Sequence, residues 1–269
     1  RKNIMDGITI EKGSSGSVIC LVNAFSDDLK NEIRNKLSGI CFGAAKASSE
    51  NLLYTYKNTL KEFLKRYTDK PDKTKKGMIG ELLSHILLIY FFKNYSSINP
   101  YFNMEEESIK KAFDLVLTDN ESGELWFSEV KSGELDQKTS IQKSKELLST
   151  AKGDLKEKLN SSRFALWQNA INGAEVAMRS GDAKTEIIKI LEAYNLDAIE
   201  EKSASSHYNA ILISVLYNDL ADKIGIVDIN EKHNEMFNKK EFKELITFAI
   251  QKTTYQAVVD FLTEEANDA

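Results

Sequence analysis

Trp126-Phe127-Ser128-Glu129-Val130-Lys131 reads as a strand that carries a carboxylate and an ammonium two residues apart. Side chains alternate along a strand, so Glu129 and Lys131 share one face while Ser128 and Val130 share the other. Upstream lies a second apolar run, Phe113-Asp114-Leu115-Val116-Leu117, followed by the turn-like Asp119-Asn120-Glu121-Ser122-Gly123. Strand, turn and strand predict a hairpin. Pairing across it brings Asp114 beside Glu129, with Lys131 next to both. Two carboxylates and a lysine on one sheet face are equipment for magnesium-dependent cleavage of a phosphodiester. Magnesium takes oxygen ligands, keeps several waters, and is held by one or two carboxylates plus substrate phosphate. It lowers the pKa of a bound water and neutralises charge growing on phosphate oxygens. A nearby lysine orients the water and stabilises the anionic transition state. Manganese is the expected substitute. No protein nucleophile is needed, which suits a chain with two cysteines and three histidines.

Upstream of the hairpin runs Gly77-Met78-Ile79-Gly80-Glu81-Leu82-Leu83-Ser84-His85-Ile86-Leu87-Leu88-Ile89-Tyr90-Phe91-Phe92. Its apolar residues at 79, 82, 83, 86, 87 and 90 follow the helical stripe. The spacing predicts a helix with Glu81 near its start. A glutamate this close to a core face needs a partner, because a lone buried charge is costly. A metal, or a water on that metal, supplies one, so Glu81 joins Asp114 and Glu129 as a candidate metal ligand.

Each signal alone is ordinary. A Glu-x-Lys strand is usually a solvated pair, an Asp in an apolar run is usually a strand end, and Gly-x-x-Gly-Glu is usually helix entry with a charge suited to the dipole. The order is more specific: a helix with Glu81, a strand with Asp114, a strand with Glu129-x-Lys131, then a long helix from about Thr139. It resembles the PD-(D/E)xK nuclease core. That resemblance implies an α/β (α+β) fold, a restriction-endonuclease-like sheet flanked by helices, in which Glu81, Asp114, Glu129 and Lys131 bind metal and activate water. The proline that precedes the aspartate in that superfamily is replaced by Phe113, and the first strand of the core is not legible.

A narrower resemblance rests on Lys76-Gly77-Met78-Ile79-Gly80-Glu81-Leu82-Leu83, Phe113-Asp114-Leu115-Val116-Leu117 and Trp126-Phe127-Ser128-Glu129-Val130-Lys131-Ser132. These strings look like HamA, the nuclease subunit of the Hachiman anti-phage defence system. The resemblance implies a bacterial defence nuclease that cleaves DNA and works with a helicase partner, HamB. The alternative is a non-catalytic subunit that uses the same fold to bind nucleic acid or protein. Dependence on a divalent metal separates the two.

The 269 residues, 42% hydrophobic and 29% charged, are those of a soluble globular protein. No apolar run reaches the ~20 residues that span a bilayer, and no signal-peptide pattern is present, so a cytoplasmic protein without membrane contact is expected. The sequence begins at Arg1 rather than Met, which points to trimming or a tag. Cys20 and Cys41 read as reduced core residues. His85, His207, His233 and Trp167 read as ordinary structural residues. The net charge of -5 is unusual for a nucleic-acid binder. Either basic faces are segregated near the site, or a partner supplies much of the binding surface. Lysines crowd residues 57–76 and 138–163, on both sides of the candidate site. Among these stretches Lys76, Lys138, Gln142 and Lys143 are weak candidates for nucleic-acid contacts.

Around the core, a strand is expected at Ser17 to Asn23, a helix at about Asp27 to Leu37, a glycine-containing stretch at Ser38 to Gly43, and a helix at about Glu50 to Tyr67. Helices near 139–160, 163–179 and 182–194 read as an insertion. Asn209 to Tyr217 reads as the last strand of the core sheet, Lys223 to Asp228 as a further short strand, and 239–266 as closing helices. The expected division is an N-terminal region at 1–75, a nuclease core at 76–230 with the insertion at about 139–194, and C-terminal helices at 231–269.

Overall fold

Alternating apolar runs separated by capped helices build a sheet with helices on both faces. A computed structural model describes residues 5–102 and 112–268. In chain order the strands are β1 (Ile8–Lys12), β2 (Ser17–Val22), β3 (Tyr95–Ser97), β4 (Leu115–Asp119), β5 (Leu125–Gly133), β6 (Asn209–Tyr217) and β7 (Leu245–Lys252). The helices are α1 (Asp27–Phe42), α2 (Ala44–Ala47), α3 (Tyr56–Thr68), α4 (Asp72–Phe91), α5 (Ser140–Leu159), α6 (Phe164–Ala177), α7 (Asp182–Ile199), α8 (Ile226–Phe237) and α9 (Tyr255–Asp268). Among the described residues the strands form one 7-stranded sheet in the order β1-β2-β7-β6-β5-β4-β3. β3, β4 and β5 pair antiparallel. β5, β6, β7 and β2 run parallel, and β1 closes the far edge antiparallel.

Local chemistry sets the helix boundaries. Ser26 caps α1 by accepting from the Leu29 amide, with Asp27 and Asp28 in the first turn where the dipole favours them. Thr139 and Gln142 form a reciprocal capping box at the start of α5. Gly43 ends α1 at φ 89, and a Cβ there would stand 2.2 Å from the Cα of Ala177, so only glycine fits.

Strand alternation sorts the core into two layers. Trp126, Val130, Ile211, Ile213, Phe248 and Ile250 point to the layer formed with α1, α3, α4 and α9. Phe127, Ala210, Leu212 and Ala249 point to the layer formed with α5, α6, α7 and α8. Each fully buried Leu, Ile or Phe contributes roughly 1.5–3 kcal/mol relative to exposure. The second layer centres on Trp167, which packs against Phe113, Phe127, Tyr194 and Tyr208. It is a core residue, as its sequence context indicates. Cys20 and Cys41 are buried, and neither forms a disulfide among the described residues.

The three helices between β5 and β6 lie where the sequence places them, and α5 is the crossover that makes those strands parallel. Other expectations fail. β6 is not the last strand but lies inside the sheet, between β5 and β7. The stretch read as closing helices contains β7, and the stretch at 223–228 leads into α8 rather than forming a strand. The misreading of β7, and with it of the place of β6, has one cause, and the short apolar run at 223–228 shows no period that separates strand from helix. A strand buried on both faces loses its alternation and reads as a plain apolar run, which periodicity cannot separate from a helix. The helix expected at about Asp27 to Leu37 runs on to Phe42. α4 begins at Asp72, so Glu81 stands in mid-helix rather than near its start.

Candidate active site

The hairpin register decides what faces what. Leu115 pairs with Ser128 as the last matched pair of β4 and β5. One step further, Asp114 stands beside Glu129, and its Oδ2 accepts a hydrogen bond from the Val130 amide at 2.7 Å. Glu129 lies on the α5 face of the sheet, and it is buried, with 2% of its surface exposed. Its Oε1 accepts from Lys131 Nζ at 2.7 Å, so the two residues share a face as their spacing requires.

α5 completes the cluster. It runs back across β5 from its cap at Thr139 and presents Asp154 and Lys158 one turn apart on the same flank. Lys158 Nζ donates to Glu129 Oε2 at 2.5 Å. Asp154 Oδ2 pairs with Lys131 Nζ at 2.8 Å. Asp114, Glu129 and Lys131 are thus brought together as their sequence pattern indicates. Asp154 and Lys158 are additions. The helix around them is legible in sequence, but which of its flanks reaches Glu129 depends on how α5 lies over β5.

Burial pushes the Glu129 carboxyl above its ordinary pKa, and the neighbouring Asp114 charge adds to this, while Lys158 and Lys131 oppose it. For Lys131, burial disfavours the ammonium, but Glu129 and the hydrogen bond to Asp154 outweigh it and raise the pKa. The pair Asp114 and Glu129 therefore carries mutual repulsion that a cation relieves. An all-oxygen donor set of two adjacent carboxylates fits magnesium, which needs only one or two from the protein. Among the described residues no group of three or more His, Cys, Asp or Glu is placed to hold a metal.

Glu81 lies on α4, in the layer opposite Glu129. α4 reaches β5 closely at Gly80, where a Cβ would stand 2.1 Å from Ser132 Oγ. The charges of Glu81 and Asp114 both bear on the buried Tyr101 phenol, whose pKa is raised first by burial and then by these two. Glu81 and Asp114 thus both act on Tyr101, while α4, the helix that carries Glu81, packs on the sheet face opposite the Glu129 and Lys131 pair.

The weaker sequence candidates gather near the other end of α5. Lys76 pairs with Glu134 at 2.6 Å. Lys138 pairs with Glu146, and Lys143 with Asp136 at 2.7 Å. The Gln142 side chain caps the Thr139 amide at 3.0 Å. Lys138, Gln142, Lys145, Ser149 and Lys232 line an open groove between α5 and α8. His233 is buried against Phe237, and burial lowers its pKa.

A family model described as HamA matches residues 3–266. The chain belongs to the HamA family. Membership makes it a component of Hachiman anti-phage defence, and the match spans every residue of the cluster around Glu129. No curated protein matches the sequence. No helix among the described residues is long and apolar enough to cross a membrane.

Proposed function

We propose that this HamA-family chain is a magnesium-dependent nuclease that hydrolyses DNA phosphodiester bonds, acting as the effector of a defence complex with the helicase HamB. The observation that carries the reading is the convergence of Asp114, Glu129 and Lys131 at the start of β4 and within β5. The order of elements also supports it. The succession α4, antiparallel β3, β4 and β5, crossover helix α5 and parallel β6 is the order expected of a PD-(D/E)xK core, with β3 as our candidate for the strand the sequence does not reveal.

In this reading Asp114 and Glu129 hold the cation, with manganese able to replace magnesium. When bound, the metal supplies an acidified water and neutralises charge on the phosphate. The protein supplies the rest. The Val130 amide fixes the Asp114 carboxylate, so one oxygen is oriented before any ligand arrives. Lys131, held between Glu129 and Asp154, keeps its proton and stabilises negative charge that grows on the phosphate. The apolar layer around Phe127 excludes water from beneath the carboxylates, which strengthens each of these interactions.

Activity on plasmid, linear and single-stranded DNA, with and without HamB, tests the proposal. Cleavage should require magnesium and stop with a chelator. Glu129→Ala and Lys131→Ala should each lower it about 100-fold or more while melting within a few degrees of the parent. Cutting that ignores the chelator, or a well-folded Glu129→Ala chain that cuts at the parent's rate, would sink the assignment and favour the non-catalytic alternative.

A further inference from the structure

Lys158 has no task in the mechanism above, yet it makes the shorter of the two contacts to Glu129, 2.5 Å against 2.7 Å for Lys131. The two lysines differ in how they are held. Lys131 is gripped by two carboxylates, Glu129 and Asp154. Among the described residues Lys158 has a single ion-pair partner, Glu129, and its side chain is 22% exposed. It stands in the last turn of α5, where a positive charge is favoured whichever way its stem turns. Lysine is a point charge on a flexible four-carbon stem, suited to moving between anionic partners.

An ammonium at hydrogen-bond distance from Glu129 Oε2 and a divalent cation on the same oxygen repel one another. We infer that Lys158 is a resident counter-ion of Glu129, which the divalent cation displaces and which then takes the phosphate of the substrate. The inference rests on the metal-dependent reading of this site. It assigns Lys158 two linked roles. Without metal it compensates the buried Glu129 charge and pins the end of α5 to β5. With metal it becomes a phosphate-binding group beside Lys131.

The test is cation binding by the full chain without DNA, measured with manganese by calorimetry and by the rise in melting temperature. Lys158→Met should bind manganese on the order of tenfold more tightly than the parent, because one positive charge next to the site is gone. Lys158→Arg should stay close to the parent, and Glu129→Gln should bind no metal there. At saturating metal, Lys158→Met should show a raised KM for DNA. A pin without a counter-ion role gives a lower melting temperature and unchanged or weaker manganese binding, and that result overturns the inference while leaving the nuclease reading intact. A parent chain with no Glu129-dependent manganese binding overturns both. If Lys158→Met fails to fold, Lys158→Gln carries the same readout.

Discussion

Lys252 allows a sharp test of the physical argument applied to the buried charges of this protein. It is the last residue of β7, paired in register with Tyr217 of β6 and Val22 of β2. Its side chain is fully buried, and its Nζ has no hydrogen-bond partner among the described residues. The Tyr217 ring lies 5.2 Å from it, and the Tyr217 hydroxyl is spent on the Lys76 carbonyl. Burial lowers the Lys252 pKa from 10.5 to about 7. The folded state therefore binds fewer protons than the unfolded state between those values. The Lys252 contribution to stability is most favourable above pH 10.5, falls as pH drops toward 7, and is flat below. That span corresponds to roughly 4–5 kcal/mol at pH 7 and about 2 kcal/mol at pH 9. Lys252→Met keeps the volume and removes the amine. It should raise the melting temperature by on the order of 10 °C at pH 7, and the gain should shrink by about half at pH 9. Thermal melts of both chains at the two pH values check this. A gain that is the same at pH 7 and pH 9, or a loss at both, would instead mean that a charged partner holds the ammonium.

Two further outcomes follow from the geometry. Asp114→Asn keeps an oxygen to accept from the Val130 amide but removes a negative charge beside Glu129, so the magnesium midpoint for cleavage should rise about tenfold or more with little change in melting. An unchanged midpoint would place Asp114 outside the metal site. Gly80→Ala should cost about 1–3 kcal/mol, because its Cβ would drive Ser132 Oγ from its place beside Tyr217 and push α4 off β5. Melting equal to the parent would show that Ser132 yields freely.

The parts of this protein whose chemistry is local are legible in the chain alone. The hairpin follows from two apolar runs on either side of a turn rich in Asp, Asn and Gly. The three helices between β5 and β6 followed from their stripes and from the breaks between them. The sharing of one face by Glu129 and Lys131 followed from a period of two, and the place of Asp114 beside Glu129 from the hairpin register. The resemblance to HamA rests on the hairpin strands and the Lys76 to Leu83 segment, and the family match over residues 3–266 agrees with it.

Tertiary structure decided what depends on which element lies against which. β7 was hidden because a strand buried on both faces has no alternation to read, and once β7 enters the sheet, β6 moves to its interior. β3 was hidden because three residues are too few to show a period. Glu81 was placed in the layer opposite Glu129 because α4 packs on the Trp126 and Val130 side of β5, and no spacing along the chain encodes that choice. Asp154 and Lys158 joined the site for the same reason. Their helix was visible, but its rotation over the sheet is set by Leu147, Leu148, Ala151 and Leu155 fitting the core, and only that fit brings the Lys158 ammonium to the carboxylate of Glu129.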